Sequence, residues 1–187
     1  MLCFQSIRPR IVRTKAATIA DYYEMDTAGG TWSLGANGIS ATAGTSNIAQ
    51  ILVGGFADQK VTADLKTATA AGSERLGVMA RFRTSKSPNA TYYFAQNQQG
   101  NFRITKVVDG TFTNLTSTAY TVTAGTWYTF TLQVIGSALA ATITDGTTSA
   151  SLTATDSAIT SPGCMGFRAG PTQSTQIDCR SWQAEEM

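Results

Sequence analysis

The chain has 187 residues, 42% of them hydrophobic and only 14% charged, with a formal net charge of +2. That is enough apolar material for one sizeable core, and charge is sparse against an average of about 25%. There is no histidine, which excludes Ser-His-Asp catalysis, Cys-His catalysis and imidazole-ligated zinc within this chain.

The first element in chain order is a basic arm. Residues 1–20 hold Arg8, Arg10, Arg13 and Lys15 and no acidic residue, while the rest of the chain holds ten basic and twelve acidic residues. Pro9 opposes helix there. Two readings stand for this segment: a disordered tail, or a strap that docks by charge on a larger assembly. It has no apolar h-region of about seven or more residues, so no secretory signal is expected. No segment reaches the roughly 18 apolar residues of a membrane span. The body of the chain is slightly acidic and gives no reason to expect nucleic acid. The boundaries follow: an arm over 1–20 and one domain over 21–187.

From Asp21 onward the pattern is short strands and turns. Thirty threonines and 17 glycines favour pleated, half-buried strands punctuated by turns. Strands are predicted over 32–34, 38–42, 48–53, 59–65, 75–84, 92–97, 102–108, 112–115, 127–135, 139–144, 149–152, 165–168 and 176–182. The sharpest register lies over 125–152. Tyr128, Phe130, Leu132 and Val134 alternate, and Gly136-Ser137 is a two-residue hairpin signal. Folding there sets Val134 opposite Leu139, Leu132 opposite Ala141 and Phe130 opposite Ile143. A two-residue turn at Asp145-Gly146 would then set Ala150 beside Ala141 and Leu152 beside Leu139. This architecture is an all-β sandwich or barrel.

A family resemblance joins these landmarks. Gly30-Thr31-Trp32, Phe56-Ala57-Asp58 leading into Val61-Thr62-Ala63-Asp64-Leu65, and Gly77-Val78-Met79-Ala80-Arg81-Phe82 come first. Tyr92-Tyr93-Phe94, Phe102-Arg103-Ile104, Gly125-Thr126-Trp127-Tyr128 and Gly166-Phe167-Arg168 follow. The order resembles the concanavalin A-like lectin/glucanase superfamily, especially its laminin-G-like members. The resemblance implies a jelly-roll β-sandwich of two antiparallel sheets, one curved to give a concave face.

It also frames the candidate chemistry. Glucanases of that superfamily carry Glu-x-Asp-x-x-Glu, which puts alternate carboxylates on one strand face. Here Glu24-Met25-Asp26 is followed by Thr27-Ala28-Gly29, so the last acid is missing. The pair also precedes Trp32, outside the expected central sheet, and no enzymatic activity is expected. Laminin-G-like domains often bind calcium, but no acidic cluster stands out beside the isolated Asp156, and no cofactor or metal is expected.

With Leu76, Val78, Ala80, Phe82 and Phe94 turned to the core, Arg81, Arg83, Tyr93 and Arg103 are expected to share one exposed patch. Guanidiniums beside an aromatic face suit a sugar or an anionic glycan; a subunit interface or ordinary solvated surface stay open. Trp32, Trp127 and Trp182 are read as core anchors. The sequons at Asn89 and Asn114 are read as chance. Cys164 and Cys179 flank a hairpin and could be bridged, but free thiols are expected.

Three functional classes follow. The first is a non-enzymatic structural or adhesion protein of a virus particle, a bacteriophage head-decoration or tail component, assembled in host cytoplasm. Its partners would be other virion proteins, copies of itself or a cell-surface glycan. The alternatives are a free carbohydrate-binding module and a glycoside hydrolase.

Overall fold

The computed structural model describes residues 24–35, 38–68, 75–83, 90–170 and 176–187. The basic arm and Asn89 lie outside the described residues. Twelve antiparallel strands run β1 (Glu24–Gly35), β2 (Gly38–Phe56), β3 (Gln59–Thr67), β4 (Arg75–Arg83), β5 (Thr91–Gln98) and β6 (Asn101–Val108) in the first half. The second half adds β7 (Thr111–Ala119), β8 (Tyr128–Ile135), β9 (Ala138–Thr144), β10 (Ser149–Thr155), β11 (Gly163–Gly170) and β12 (Gln176–Glu186).

The strand order is β10-β9-β8-β3-β12-β2-β11-β4-β5-β6-β7, with β1 against β2. This path is two sheets joined along one edge. The start of β2 pairs with β12 (Ile39↔Cys179 to Thr42↔Gln176), while its end pairs with β11 (Ala49↔Ala169 to Phe56↔Gly163). One 19-residue strand thus passes from one sheet into the other. The sequence pattern divided it in two and began the sheet at Trp32; β1 in fact starts at Glu24 and pairs along the whole hairpin. Glu24 and Asp26 are therefore in a sheet strand, at its edge.

Alternation builds the core between the sheets. Val61, Ala63 and Leu65 of β3, Phe130, Leu132 and Val134 of β8, and Leu139, Ala141 and Ile143 of β9 point inward from the first sheet. Leu76, Val78, Ala80, Tyr93, Ala95, Phe102, Ile104 and Phe167 answer them from the second. Phe102 and Phe130 meet edge-on across the gap, ring centres 6.3 Å apart. The expected β8–β9 register is present residue for residue. The next hairpin is displaced by two, with Leu152 opposite Ala141 and Ala154 opposite Leu139. Its loop is four residues rather than two, because the Asp145 carboxylate accepts hydrogen bonds from the amides of Thr147 and Thr148. Cys164 and Cys179 are not bridged to each other. Trp182 is buried against Phe167 as expected, but Trp127 is only half-buried, clamped between Lys66 and Arg180, each 4.7 Å from its ring centre. It anchors charge rather than core.

One end of the sandwich is tied by a buried polar knot. The β4–β5 register shifts between Ala80 and Arg83, and Arg81 sits in that bulge with φ of 51°. Such a conformation is costly for a side chain-bearing residue and persists only where neighbours enforce it. Here its amide donates to Gln59 Oε1 at 2.7 Å, while Gln59 Nε2 donates to the carbonyls of Phe56 and Gly163. The Arg81 guanidinium, 1% exposed as a residue, donates to the carbonyls of Ala57 and Ile159 and lies 3.4 Å from Asp58. Beside it Tyr93 donates to Asp156, whose carboxylate also holds Lys106 at 2.6 Å.

Removing a buried, multiply bonded charge leaves its acceptors stranded. Arg81→Ala is expected to cost about 3 kcal/mol or more, whereas exposed Arg83→Ala should stay within about 0.5 kcal/mol; urea denaturation of the two variants checks this. The Asp156 carboxyl is desolvated, which raises its pKa. Hydrogen bonds from Lys106, Tyr93 and Ala158 outweigh that and hold it below the ordinary 3.8. A lowered acid stabilises the fold above its unfolded pKa and loses that contribution as pH falls through the folded value. Melting temperature should therefore decline as pH drops below about 3.8, and Asp156→Asn should flatten that decline.

Candidate ligand-binding face

The second sheet has an outer face with a composition unlike an ordinary solvated surface. In β5, Tyr93 and Ala95 join the main core, so Tyr92, Phe94 and Gln96 take the opposite face. There Met79, Phe82, Tyr92, Phe94 and Val107 form a separate apolar cluster. The bulge at Arg81 is what sends Phe82 to this side.

Cross-strand register places a polar row beside that cluster. Arg168 of β11 is opposite Gly77, Gly77 opposite Gln96, Gln96 opposite Arg103, and Arg103 opposite Ser117. Gly77 supplies no side chain, and none fits: a Cβ there would collide with the Ala95 carbonyl. Arg168 is 2% exposed, donates to the Tyr92 hydroxyl, and has its guanidinium carbon 5.6 Å from the Phe94 ring centre and 5.4 Å from that of Phe112. Arg75 stacks on Phe112 at 4.1 Å.

These contacts establish the shape of the face. Arg168 and Phe112 stand on strands four places apart, about 19 Å along a flat sheet. That is farther than the two side chains can bridge unless the sheet curves toward them. The face is concave.

Its electrostatics are unbalanced. Burial depresses the Arg168 pKa to about 10, with the charge of Arg75 adding to the effect, and burial likewise lowers Arg75, aided by Arg103. Burial pushes the Tyr92 hydroxyl up. Among the described residues, the ion pairs are Lys60–Glu185, Lys66–Asp178, Arg81–Asp58, Lys106–Asp156 and Arg180–Asp64. None involves Arg75, Arg103 or Arg168. Buried Nε of Arg103, Nε of Arg168 and Oε1 of Gln96 have no hydrogen-bond partner there.

The patch expected from sequence is not assembled. Arg81 and Tyr93 are buried in the interior, Arg83 is exposed at the strand end, and only Arg103 reaches this face. Two local events account for it. The bulge turns Arg81 inward, and a loop as long as 85–91 does not fix the β4–β5 pairing from sequence, so Tyr93 falls on the other side from the one expected. Arg168, Arg75, Tyr92, Phe112 and Gln96 are absent from that expected patch; reading the Gln99-Gly100 turn as setting Arg103 beside Ala95 is off by one residue, since Arg103 is opposite Gln96. Asp156 is engaged by Lys106 and Tyr93, and no group of metal-ligating side chains occurs among the described residues.

The fold is a lectin-like jelly-roll sandwich of two antiparallel sheets, the fold that the landmark residues implied. No protein-family model matches the chain, and no curated protein matches it in sequence. Similar solved structures include carbohydrate binding module CBM66 from Bacillus subtilis, 14% identical, TM-score 0.69, covering 87% of this chain and 95% of that one. Lectin II from Ulex europaeus is 12% identical, TM-score 0.65, over 87% and 93% of the two chains. A legume lectin-like domain from Entamoeba histolytica is 14% identical, TM-score 0.58, over 87% and 90%. At these identities the likeness is one of fold.

A buried cation without a counter-charge opposes folding. An arginine whose folded pKa is depressed destabilises while charged, that is, at every pH below about 10. Arg168→Met keeps the apolar stem and removes the charge. It is expected to raise stability by about 1–3 kcal/mol, seen as a higher melting temperature.

Proposed function

We propose that the protein is a non-enzymatic carbohydrate-binding protein whose ligand lies on the concave face of the second sheet. The observation that carries this reading is the joining of partly exposed Phe112 with Arg103, Arg168 and Gln96 in a hollow of a lectin-like fold. An aromatic face receives a sugar ring, and planar donors fix its hydroxyls. Similar folds named as carbohydrate-binding modules and lectins support the class. The finer setting, a structural or adhesion component of a virus particle such as a bacteriophage head-decoration or tail protein, is supported by the four unopposed positive charges of residues 1–20 beside a compact β domain.

Retention on a panel of immobilised glycans tests the binding. The wild-type chain should be retained by at least one glycan, Phe112→Ala should lose about tenfold in affinity, and Arg83→Ala should not change it. Retention by no glycan, or equal binding by Phe112→Ala, would sink the reading. In the same samples no β-glucan should be hydrolysed, and turnover abolished by Glu24→Gln with Asp26→Asn would make it an enzyme instead. Mass spectrometry of purified particles tests the setting, and absence from them removes it.

A further inference from the structure

The donor and acceptor balance of the concave face specifies more than a sugar. On the outer side of the first sheet, charge is matched: Asp64 binds Arg180, Ser181 and Thr129, and Lys66 reaches Asp178. The concave face holds Arg75, Arg103 and Arg168 with no carboxylate paired to any of them among the described residues. Among the described residues, two of the three leave a buried N–H without an acceptor, and Gln96 leaves a carbonyl oxygen without a donor, its amide being spent on Thr105 at 2.8 Å. What completes such a site is a molecule with an acceptor-only anionic group and a hydroxyl close by.

We infer that this face binds an acidic sugar through its carboxylate, with Arg103 and Arg168 as the anion-holding pair and Gln96 accepting from an adjacent hydroxyl. The inference rests on the carbohydrate-binding reading and names the class of sugar. Arg168 is held in place by the Tyr92 hydroxyl and the rings of Phe94 and Phe112, so its guanidinium is oriented before the ligand arrives. Pre-oriented donors lose less freedom on binding. Arg75, stacked on Phe112, adds positive potential from the side.

One acidic position shares the row by register. Asp26 of β1 is opposite Gln50, and Gln50 is opposite Arg168. Arg103 lies three strands beyond Arg168, so even a carboxylate serving Arg168 from that edge would leave Arg103 unmatched. The experiment includes this position for that reason.

Titration calorimetry with three trisaccharides of one linkage decides it: galacturonate, neutral galactose and sulfated galactose. The wild-type chain should bind the galacturonate form about tenfold or more tightly than the neutral one, the increment of one charge-assisted contact. Arg103→Gln and Arg168→Met should each reduce that preference toward unity while melting at or above the wild-type temperature. Equal or tighter binding of the neutral sugar overturns the inference and leaves the carbohydrate-binding reading intact. Tighter binding of the sulfated sugar replaces carboxylate with sulfate and overturns it too. A preference that survives both substitutions puts the anion elsewhere. A preference that appears only in Asp26→Asn shows a face neutralised from within, again overturning the inference. If the wild-type chain binds none of the three or any panel glycan, the carbohydrate reading itself fails.

Discussion

The guanidinium of Arg81 is the constraint on which the arrangement of the two sheets depends. It satisfies carbonyls from the 57–58 turn and from Ile159, while Gln59 secures its backbone and the start of β11. Those partners belong to two separate passages between the sheets, β2 to β3 and β10 to β11. A buried charge with this many hydrogen bonds is a poor source of net stability but a strict selector of geometry, because any slip strands several polar groups together. Asp58, which also accepts from the Gly136 amide, extends the same selection to the β8–β9 turn.

That knot reaches the candidate site through the bulge. Ending the alternation of β4 at Ala80 turns Arg81 inward and moves Phe82 across to Tyr92, their ring centres 5.5 Å apart. The second apolar cluster is thereby closed at one end and gives Arg168 an aromatic wall. The two arginines stand on the adjacent strands β4 and β11 and are compensated in opposite ways: Arg81 is matched by carbonyls and a carboxylate, Arg168 by rings and one hydroxyl. Desolvating a cation without a compensating anion costs folding free energy, a cost typical of groups kept for a ligand rather than for the fold.

Alternation made the sandwich legible wherever a turn was short. Gly136-Ser137 fixed β8 against β9, and the core residues of β3, β8 and β9 follow from that period of two. The β9–β10 pairing shows the limit of the same evidence: a shift of two residues keeps every apolar side chain on its own face, so the pattern cannot detect it. Whether Asp145-Gly146 closes a two- or four-residue loop depends on carboxylate hydrogen bonds that composition does not reveal. The bulge was less legible still. Nothing in Ala80-Arg81-Phe82 announces a positive φ, since the residue that enforces it, Gln59, is 22 positions away. Arg168 was hidden for a related reason: its significance lies in neighbours drawn from β5 and β7, brought close by curvature and not by sequence.

The long β2 strand sets the order in which the chain can close. Its two halves find their ladders in β12 and β11, more than 100 positions later, as does β3 in β12. Within the meanders β4–β7 and β8–β10, by contrast, successive strands pair with each other, and β4 and β8 alone reach out, to β11 and β3. Local hairpins pay a small loop-closure entropy and the β2 and β3 ladders a larger one. During synthesis, then, β2 and β3 must wait with unpaired edges until the last two strands have emerged. The apolar run Ile51-Leu52-Val53 lies in that waiting strand, which makes the final thirty or so residues guardians against edge-to-edge aggregation as much as parts of the sheet.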